Sequence, residues 1–217
     1  MSVGIADTAG IGVVAIFWFY MATILDAEQY GEIHYFLGIA GIAYAISLLG
    51  TQNTITVLTA KNFKIEPTLY FLTLVITSIS AIILSVIFNR LDVSLIVFGF
   101  VISEFSIGYL LGKKKYTNYS AYVLTQKGLT MGLGILFYYL FGVDGIIYGF
   151  ALSYIHFIII FAKIFNKFKF DFPILKSHFS FVRDNYFYSL SNGFRSHFGK
   201  LIIVPLLGFS ILGNYAL

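Results

Sequence analysis

Long apolar stretches separated by short polar gaps run through the whole chain. We delimit seven of them, at residues 2–25, 31–60, 67–88, 92–112, 119–141, 145–162 and 189–212. A helix needs about 20 apolar residues to cross the hydrocarbon core of a bilayer, and each stretch reaches or approaches that length. The strands of a membrane barrel would alternate polar and apolar residues, and runs such as LTLVITSISAIILSVIF do not. The pattern predicts an all-α, polytopic membrane protein with about seven transmembrane helices.

One connection between the apolar stretches, 163–188, is long enough to contain a helix of its own. Apolar side chains recur in it at spacings of three and four, which places them on one helical face: Phe172, Leu175, Phe179, Val182 and Tyr186. An apolar face opposite a basic one predicts a helix lying in the cytoplasmic interface, and a connector helix packed against the bundle fits the spacing equally well. The chain then divides into a six-helix lobe at 1–165, a cytoplasmic linker at 166–188 and one further helix at 189–217.

The charges are few and unevenly placed. Hydrophobic residues make up 59% of the chain and charged residues 11%, against about 25% charged in a soluble domain. Ten of the fourteen lysines and arginines lie in the gaps at 61–66, 113–118 and 163–188. By the positive-inside rule these alternate loops and the N-terminus face the cytoplasm. Because orientation accounts for the basic residues, we expect no nucleic acid partner.

A second group of cations lies within the apolar stretches themselves. A charge at mid-bilayer costs at least about 2.5–3.5 kcal/mol, so each one needs an explanation. At 100° per residue Arg195 and Lys200 lie about 140° apart on the same helix, and they cannot both face lipid. We interpret Arg195, Lys200 and Lys127 as lining a basic, water-filled cavity. Arginine and lysine both bind phosphate oxygens, which predicts an anionic head group as the substrate of this cavity.

Two other ionisable residues lie at depth, and each has two interpretations. Glu104 either forms an ion pair with Lys127 or senses a coupling proton or cation. His156 is either a hydrogen-bonded interior histidine or a proton relay. We attribute Asp7 and His34 to helix ends, where side chains reach water. The polar side chains of Gln52 and Asn53 fit hydrogen bonds between helices.

Signatures of enzymes and metal sites are missing from the sequence. We find no H-E-x-x-H, G-x-S-x-G or Walker A motif, and the carboxylates are dispersed. The absence of cysteine excludes disulfides and thiolate metal sites. We therefore expect no enzymatic activity, no metal and no cofactor.

The segments at 25–55 and 192–217, with their L-x-x-x-x-Y-G and G-x-Y-x-L patterns, resemble the polysaccharide and oligosaccharide flippases of the multidrug/oligosaccharidyl-lipid/polysaccharide exporter superfamily. The first, LDAEQYGEIHYFLGIAGIAYAISLLGTQNTI, is similar to the turn and long second helix of that family. It has Leu25, Tyr30, Gly31 and Leu49-Gly50 in the matching places, with Ala27 where the family has proline. The second, NGFRSHFGKLIIVPLLGFSILGNYAL, resembles the seventh helix and its G-x-Y-x-L ending at Gly213, Tyr215 and Leu217.

The resemblance implies a protein of the cell membrane that moves a lipid-linked oligosaccharide or polysaccharide precursor by alternating access. Its partners would be that lipid-linked glycan and the surrounding membrane lipids. The resemblance also implies an N-terminal half, since the family has two lobes. Either the chain is a fragment, or a second half or an identical partner completes it. Two alternatives to flipping remain, a multidrug/cation antiporter of the same superfamily and a non-transporting membrane scaffold.

Overall fold

The computed structural model describes residues 3–49, 51–165 and 170–216, and these form helices joined by short turns with no strand among them. The predicted motif and loop residues Gly50, Lys167, Lys169 and Leu217 lie outside the described ranges. The α-helices are α1 (Val3–Ile24), α2 (Ala27–Ser47), α3 (Gln52–Ala60), α4 (Glu66–Phe88), α5 (Leu91–Gly112), α6 (Tyr116–Phe141), α7 (Val143–Ser153), α8 (Ile158–Phe165), α9 (Phe172–Ser177), α10 (Phe179–Leu207) and α11 (Phe209–Ala216). A 3-10 turn, Ile155–Phe157, joins α7 to α8.

Five stretches of described helix are long and apolar enough to cross a membrane: α1, α2 with α3, α4, α5, and α7 with α8. Helices α6 and α10 have the length, with 26 and 29 residues, but they are less apolar. Large apolar side chains such as Ile82, Val86 and Ile87 of α4 are exposed on the outside. An apolar exterior of this kind suits lipid. The prediction of an all-α, polytopic helical protein is confirmed, and five of its seven spans meet both criteria.

Three of the predicted spans are interrupted, which the apolar pattern did not indicate. The second span ends as α2 at Ser47, and α3 starts after Thr51, whose side chain accepts a hydrogen bond from the Thr54 amide. The sixth span contains the 3-10 turn Ile155–Phe157. The seventh ends at Gly208, where φ is +85°, before α11 begins. A polar cap at Thr51 marks the first break and a glycine at 208 marks the third, and the mean hydropathy registers neither of them.

The predicted boundary at residue 188 does not coincide with a helix end. The structure divides the predicted amphipathic segment at His178, and α10 then continues from Phe179 to Leu207 without a break. Of the predicted apolar face, Val182 is buried, whereas Phe172 and Phe179 are exposed. The linker and the seventh span therefore share one long helix.

Helices α2 and α5 occupy the interior, and α1 and α4 lie at the periphery. Helix α5 contacts α2, α3, α4 and α7, while α6 packs against α1 and α7. Helices α10 and α11 both pack on α2. One group of buried apolar side chains, around Phe17, Ile33 and Ile96, fills the predicted external half, and another, around Ile55 and Phe105, fills the predicted cytoplasmic half.

Small residues bring α7 against α6. A Cβ atom added to Gly149 would lie 2.6 Å from the carbonyl oxygen of Leu133, and one on Gly145 would collide with the carbonyl of Phe137. Close backbone approach of this kind is a common way for helices to associate in lipid. By contrast, Gly128 and Gly132 of α6 face open space within the described structure. Glycines spaced four apart thus mark a contact on α7 but not on α6.

Candidate functional site

A cavity of about 580 Å³ lies inside the bundle, between α1, α2, α5, α6, α7 and α10. Its walls are partly apolar and aromatic, with Trp18, Phe100 and Phe150 among them. Ionisable side chains also face it, from five helices and both halves of the bundle: Asp7, His34, Glu104, Lys127, His197 and Lys200. An ionisable group within an apolar bundle is a candidate functional group, because it is costly to bury without a role.

Lys200 and His34 meet in this cavity although 166 positions separate them in the chain. The Lys200 Nζ lies 3.4 Å from the His34 Nδ1. An ammonium group has only donors, so Nδ1 accepts and the ring proton lies on Nε2. His34 is 9% exposed, and its Nε2 has no hydrogen-bond partner in the described residues. The pair therefore combines an ammonium group with a buried ring N–H that has no partner among the described residues.

Small residues on α2 allow α10 to approach closely enough for this contact. His34, Gly38, Gly41 and Ala45 follow a helical spacing of three and four, so they share one face. A Cβ atom on Gly38 would lie 3.3 Å from Lys200 Cβ, and one on Gly41 would collide with the His197 ring. The His197 ring nitrogen Nδ1 is buried and also has no partner among the described residues. Glycine at 38 and 41 thus allows His197 and Lys200 of α10 to lie against α2.

Lys127 enters the same cavity from α6. Its aliphatic chain lies against α1, where a Cβ atom on Gly10 would be 3.1 Å from Lys127 Cγ. Asp7, one turn earlier on α1, accepts a 2.6 Å hydrogen bond from the Tyr119 hydroxyl, and its negative charge acts on Lys127. Because Asp7 lies four residues from the start of α1, this group belongs to the predicted cytoplasmic end.

Glu104 lines the cavity from α5, beside the Tyr44 hydroxyl and the Gln52 backbone. Gln52 is the first residue of α3, so the carboxylate lies at the N-terminal end of that helix. Backbone N–H groups and the helix dipole favour a negative charge there. The predicted ion pair of Glu104 with Lys127 does not form: in the described ranges the ion pairs involve Arg90 and Arg183 only. Both side chains nevertheless face the same cavity.

The structure does not bring Arg195 and His156 into this cavity. Helix α10 turns Gly193, His197 and Lys200 towards α2, so Arg195 falls on another face and is exposed. The His156 ring stacks on Tyr122, and its two nitrogens lie 3.0 Å from the carbonyl oxygens of Ser153 and Tyr122. These contacts correspond to the hydrogen-bonded interior histidine and not to a relay facing the cavity.

Three of the ionisable residues that face the cavity are not among the predicted site residues. The sequence pattern places Asp7 and His34 at helix ends, and it indicates no role for His197. A signal for His34 exists in the sequence, since Gly38 and Gly41 follow it on one helical face. That signal indicates a close helix contact but not which helix makes it.

A separate cluster of charges lies at the predicted external end. The Arg90 guanidinium lies 3.3 Å from Glu32, 2.8 Å from Asp92 and 2.8 Å from Asp144, and it stacks over the Phe36 ring at 4.6 Å. Burial lowers the pKa of Arg90, but the hydrogen bond to Asp92 and the three negative charges outweigh it and hold the pKa above its ordinary value. One arginine thus ties α2, α5 and α7 together at that end.

No group of three or more histidine, aspartate or glutamate side chains in the described ranges is arranged to hold a metal ion. No protein-family model, no curated protein and no solved structure matches the chain. The geometry of the cavity is therefore the basis for assigning a function.

Proposed function

We propose that this chain translocates an anionic, lipid-linked glycan precursor across the cell membrane by alternating access. The observation that carries the proposal is that Lys127, Lys200 and His34 line one cavity within an apolar bundle, with Lys200 against the His34 ring. Ammonium and imidazole N–H groups donate hydrogen bonds, and a diphosphate offers only acceptor oxygens at neutral pH. The resemblance of two segments to polysaccharide flippases supports the same substrate class.

The interrupted helices support the alternating-access part of the proposal. Broken helices next to a central cavity are typical of secondary transporters, where their ends bind substrate and coupling ions. Here α3 begins beside Glu104, and the 3-10 turn after α7 includes Phe157, which lines the cavity. The Arg90 cluster would close the predicted external end, and breaking its ion pairs would open that end. Glu104 is the proposed sensor of the coupling ion.

The test is a flipping assay with the full chain in liposomes. The probe is a polyprenyl diphosphate bearing a fluorescently labelled N-acetylglucosamine, and an impermeant quencher reports its movement between leaflets. A hydrogen bond to a charged group contributes about 1.5–3 kcal/mol, so Lys200→Gln and Lys127→Gln should each slow flipping about 10- to 100-fold. Lys176→Gln, an exposed lysine of α9, is the matched control.

The variant Arg195→Gln tests the exposed position of Arg195 in the structure against the sequence-based prediction that Arg195 binds the substrate. Since Arg195 is exposed outside the cavity, we expect its substitution to change the rate by no more than about twofold. Unchanged flipping in both cavity lysine variants would contradict the proposal. A wild-type rate equal to that of protein-free liposomes would also contradict it, and would favour the membrane scaffold.

A second candidate function, antiport of an organic cation, is favoured by the two carboxylates of the cavity. Asp7 and Glu104 face the same space as the lysines, and an acidic lining attracts cations. The same liposomes, loaded with ethidium and given a pH gradient, separate the two functions. Antiport would be the better assignment if the protein exports ethidium, if Glu104→Gln abolishes this efflux, and if the diphosphate probe does not move.

A further inference from the structure

A second cleft, of about 430 Å³, adjoins the cavity between α3, α5 and α10. The two spaces share Gln52 and Glu104 in their linings. Asn53 in this cleft lies eight residues before Lys61, so it is roughly 12 Å along the helix from the predicted cytoplasmic end. Polar side chains at that depth are costly against lipid, which indicates that they face water or a polar ligand.

The lining of this cleft is polar but almost uncharged. It contains four side-chain amides, Gln52, Asn53, Asn185 and Asn192, together with hydroxyl groups from α3 and α10. Among the described residues that line it, the one acidic or basic side chain is the Glu104 carboxylate. The described lining therefore offers no cation to an anionic ligand. A hydrocarbon chain would remove the amides from water without forming hydrogen bonds with them. Of the ligands a membrane protein meets, a neutral polyhydroxylated one fits best.

The amides retain hydrogen-bonding capacity that such a ligand can use. Asn53 Nδ2 donates to Asn185 Oδ1 at 2.7 Å, and Asn185 Nδ2 donates to the Phe181 carbonyl at 2.8 Å. Within the described structure the side chains of Gln52 and Asn192 make no hydrogen bond. An amide offers donors and an acceptor in one plane, and a sugar hydroxyl both donates and accepts, so the two match in either direction.

An aromatic ring completes the cleft. Tyr188 of α10 is 76% exposed and lines the same space as the amides. Its ring offers an apolar face and its hydroxyl a polar end. A pyranose ring has the same division, with C–H groups on its faces and hydroxyls at its edge, so it can stack on Tyr188 while the amides bind its hydroxyls.

We propose that this cleft binds the neutral sugar residues of a ligand whose anionic group occupies the adjoining cavity. The inference rests on the proposed function, because it assigns the glycan part of the same substrate. It also specifies a substrate class. Sugars that carry a carboxylate, such as uronic acids, would meet Glu104 at like charge and bind more weakly than neutral ones.

The experiment measures equilibrium binding of lipid probes to the full chain in nanodiscs. One probe is polyprenyl diphosphate without sugar. Three others carry a disaccharide of glucose, galactose or N-acetylglucosamine, and a fifth carries glucuronic acid. We expect at least one neutral sugar to tighten binding by fivefold or more, and the glucuronic acid probe to show no such gain.

Variants separate the cleft from the cavity. Asn192→Ala and Asn53→Ala should remove most of the gain from the sugar while leaving affinity for the sugar-free probe unchanged. Asn192 makes no described hydrogen bond, so its substitution tests the cleft without disturbing the contact of α3 with α10. Asn118→Ala, an exposed amide at the start of α6, is the matched control and should retain the gain.

The outcomes distinguish the two proposals. Binding of the sugar-free probe without a gain from any neutral sugar would overturn the cleft assignment and leave the proposed function in place. A gain that survives in Asn192→Ala and Asn53→Ala, or one that is largest for glucuronic acid, would also overturn it. Failure of the sugar-free probe to bind would overturn the proposed function, and the cleft assignment with it.

Discussion

Replacing Arg90 by alanine should destabilise the protein more than any exposed charge substitution. The variant leaves the Asp92 side chain, which is 2% exposed, without its cation, and it also removes the contacts with Asp144 and Glu32. Removing one partner of a buried ion pair costs about 3–5 kcal/mol. The Arg90 side chain is 19% exposed, so solvent screening reduces the expected cost to about 2–3 kcal/mol. That cost corresponds to a fall of about 4–12 °C in Tm for a chain of this length.

The assay is thermal unfolding of the purified full chain in one detergent, followed by intrinsic fluorescence. The double variant Arg90→Ala/Asp92→Asn should recover at least half of the lost Tm, because it also removes the unpaired buried charge. Lys176→Ala, at an exposed site, should leave the Tm within about 1–2 °C. A fall for Arg90→Ala no larger than that of Lys176→Ala, or a double variant less stable than the single one, would refute the reasoning.

The pH dependence of this effect follows from the sign of the pKa shift. The pKa of Arg90 is raised in the folded protein by its acidic neighbours, against the effect of burial. A raised pKa gives a contribution to stability that is fully present below the pKa of arginine in the unfolded chain and is lost only as the pH rises through the higher pKa of the folded protein. The Tm difference between wild type and Arg90→Ala should therefore not change between about pH 6 and about pH 9. A difference that vanishes by about pH 9 would show that another group supplies it.

Three further predictions concern the helix contacts and the polar groups. Gly149→Val should lower the Tm, since overpacking costs about 1–3 kcal/mol. Gly132 faces open space, so Gly132→Val should not lower the Tm. Equal effects of the two substitutions would show that the helix propensity of valine, and not the contact between helices, determines the change in Tm. Glu104→Gln should abolish transport driven by a pH gradient while binding of the sugar-free diphosphate lipid persists, and retained gradient-driven transport would exclude Glu104 as the coupling group. His156→Leu should lower the Tm, because it removes about one hydrogen bond, which contributes about 1 kcal/mol. The pH profile of transport should not change. A shifted pH profile would support the proton-relay interpretation of His156.

The prediction of helices depended on information that is local in the chain. Apolar runs of about 20 residues favour helices in lipid because every backbone hydrogen bond is made within the segment. Runs such as 67–88 and 92–112 therefore predicted α4 and α5 to within one residue at every end. The breaks after Ser47 and at 155–157 were not predicted, because a cap or a 3-10 turn changes the backbone without changing the mean hydropathy.

For the charged residues, too, the sequence predicted some features and the tertiary structure determined the others. Counting intramembrane cations singled out Lys127 and Lys200, because the cost of burying a charge depends on depth in the bilayer, which the sequence indicates. Which face of a helix meets the cavity depends on its neighbours. Packing of α10 on Gly38 and Gly41 turns Lys200 and His197 inwards and leaves Arg195 exposed. His34 acquires its contact with Lys200 from the same packing, across 166 residues of chain, and only the tertiary structure shows it.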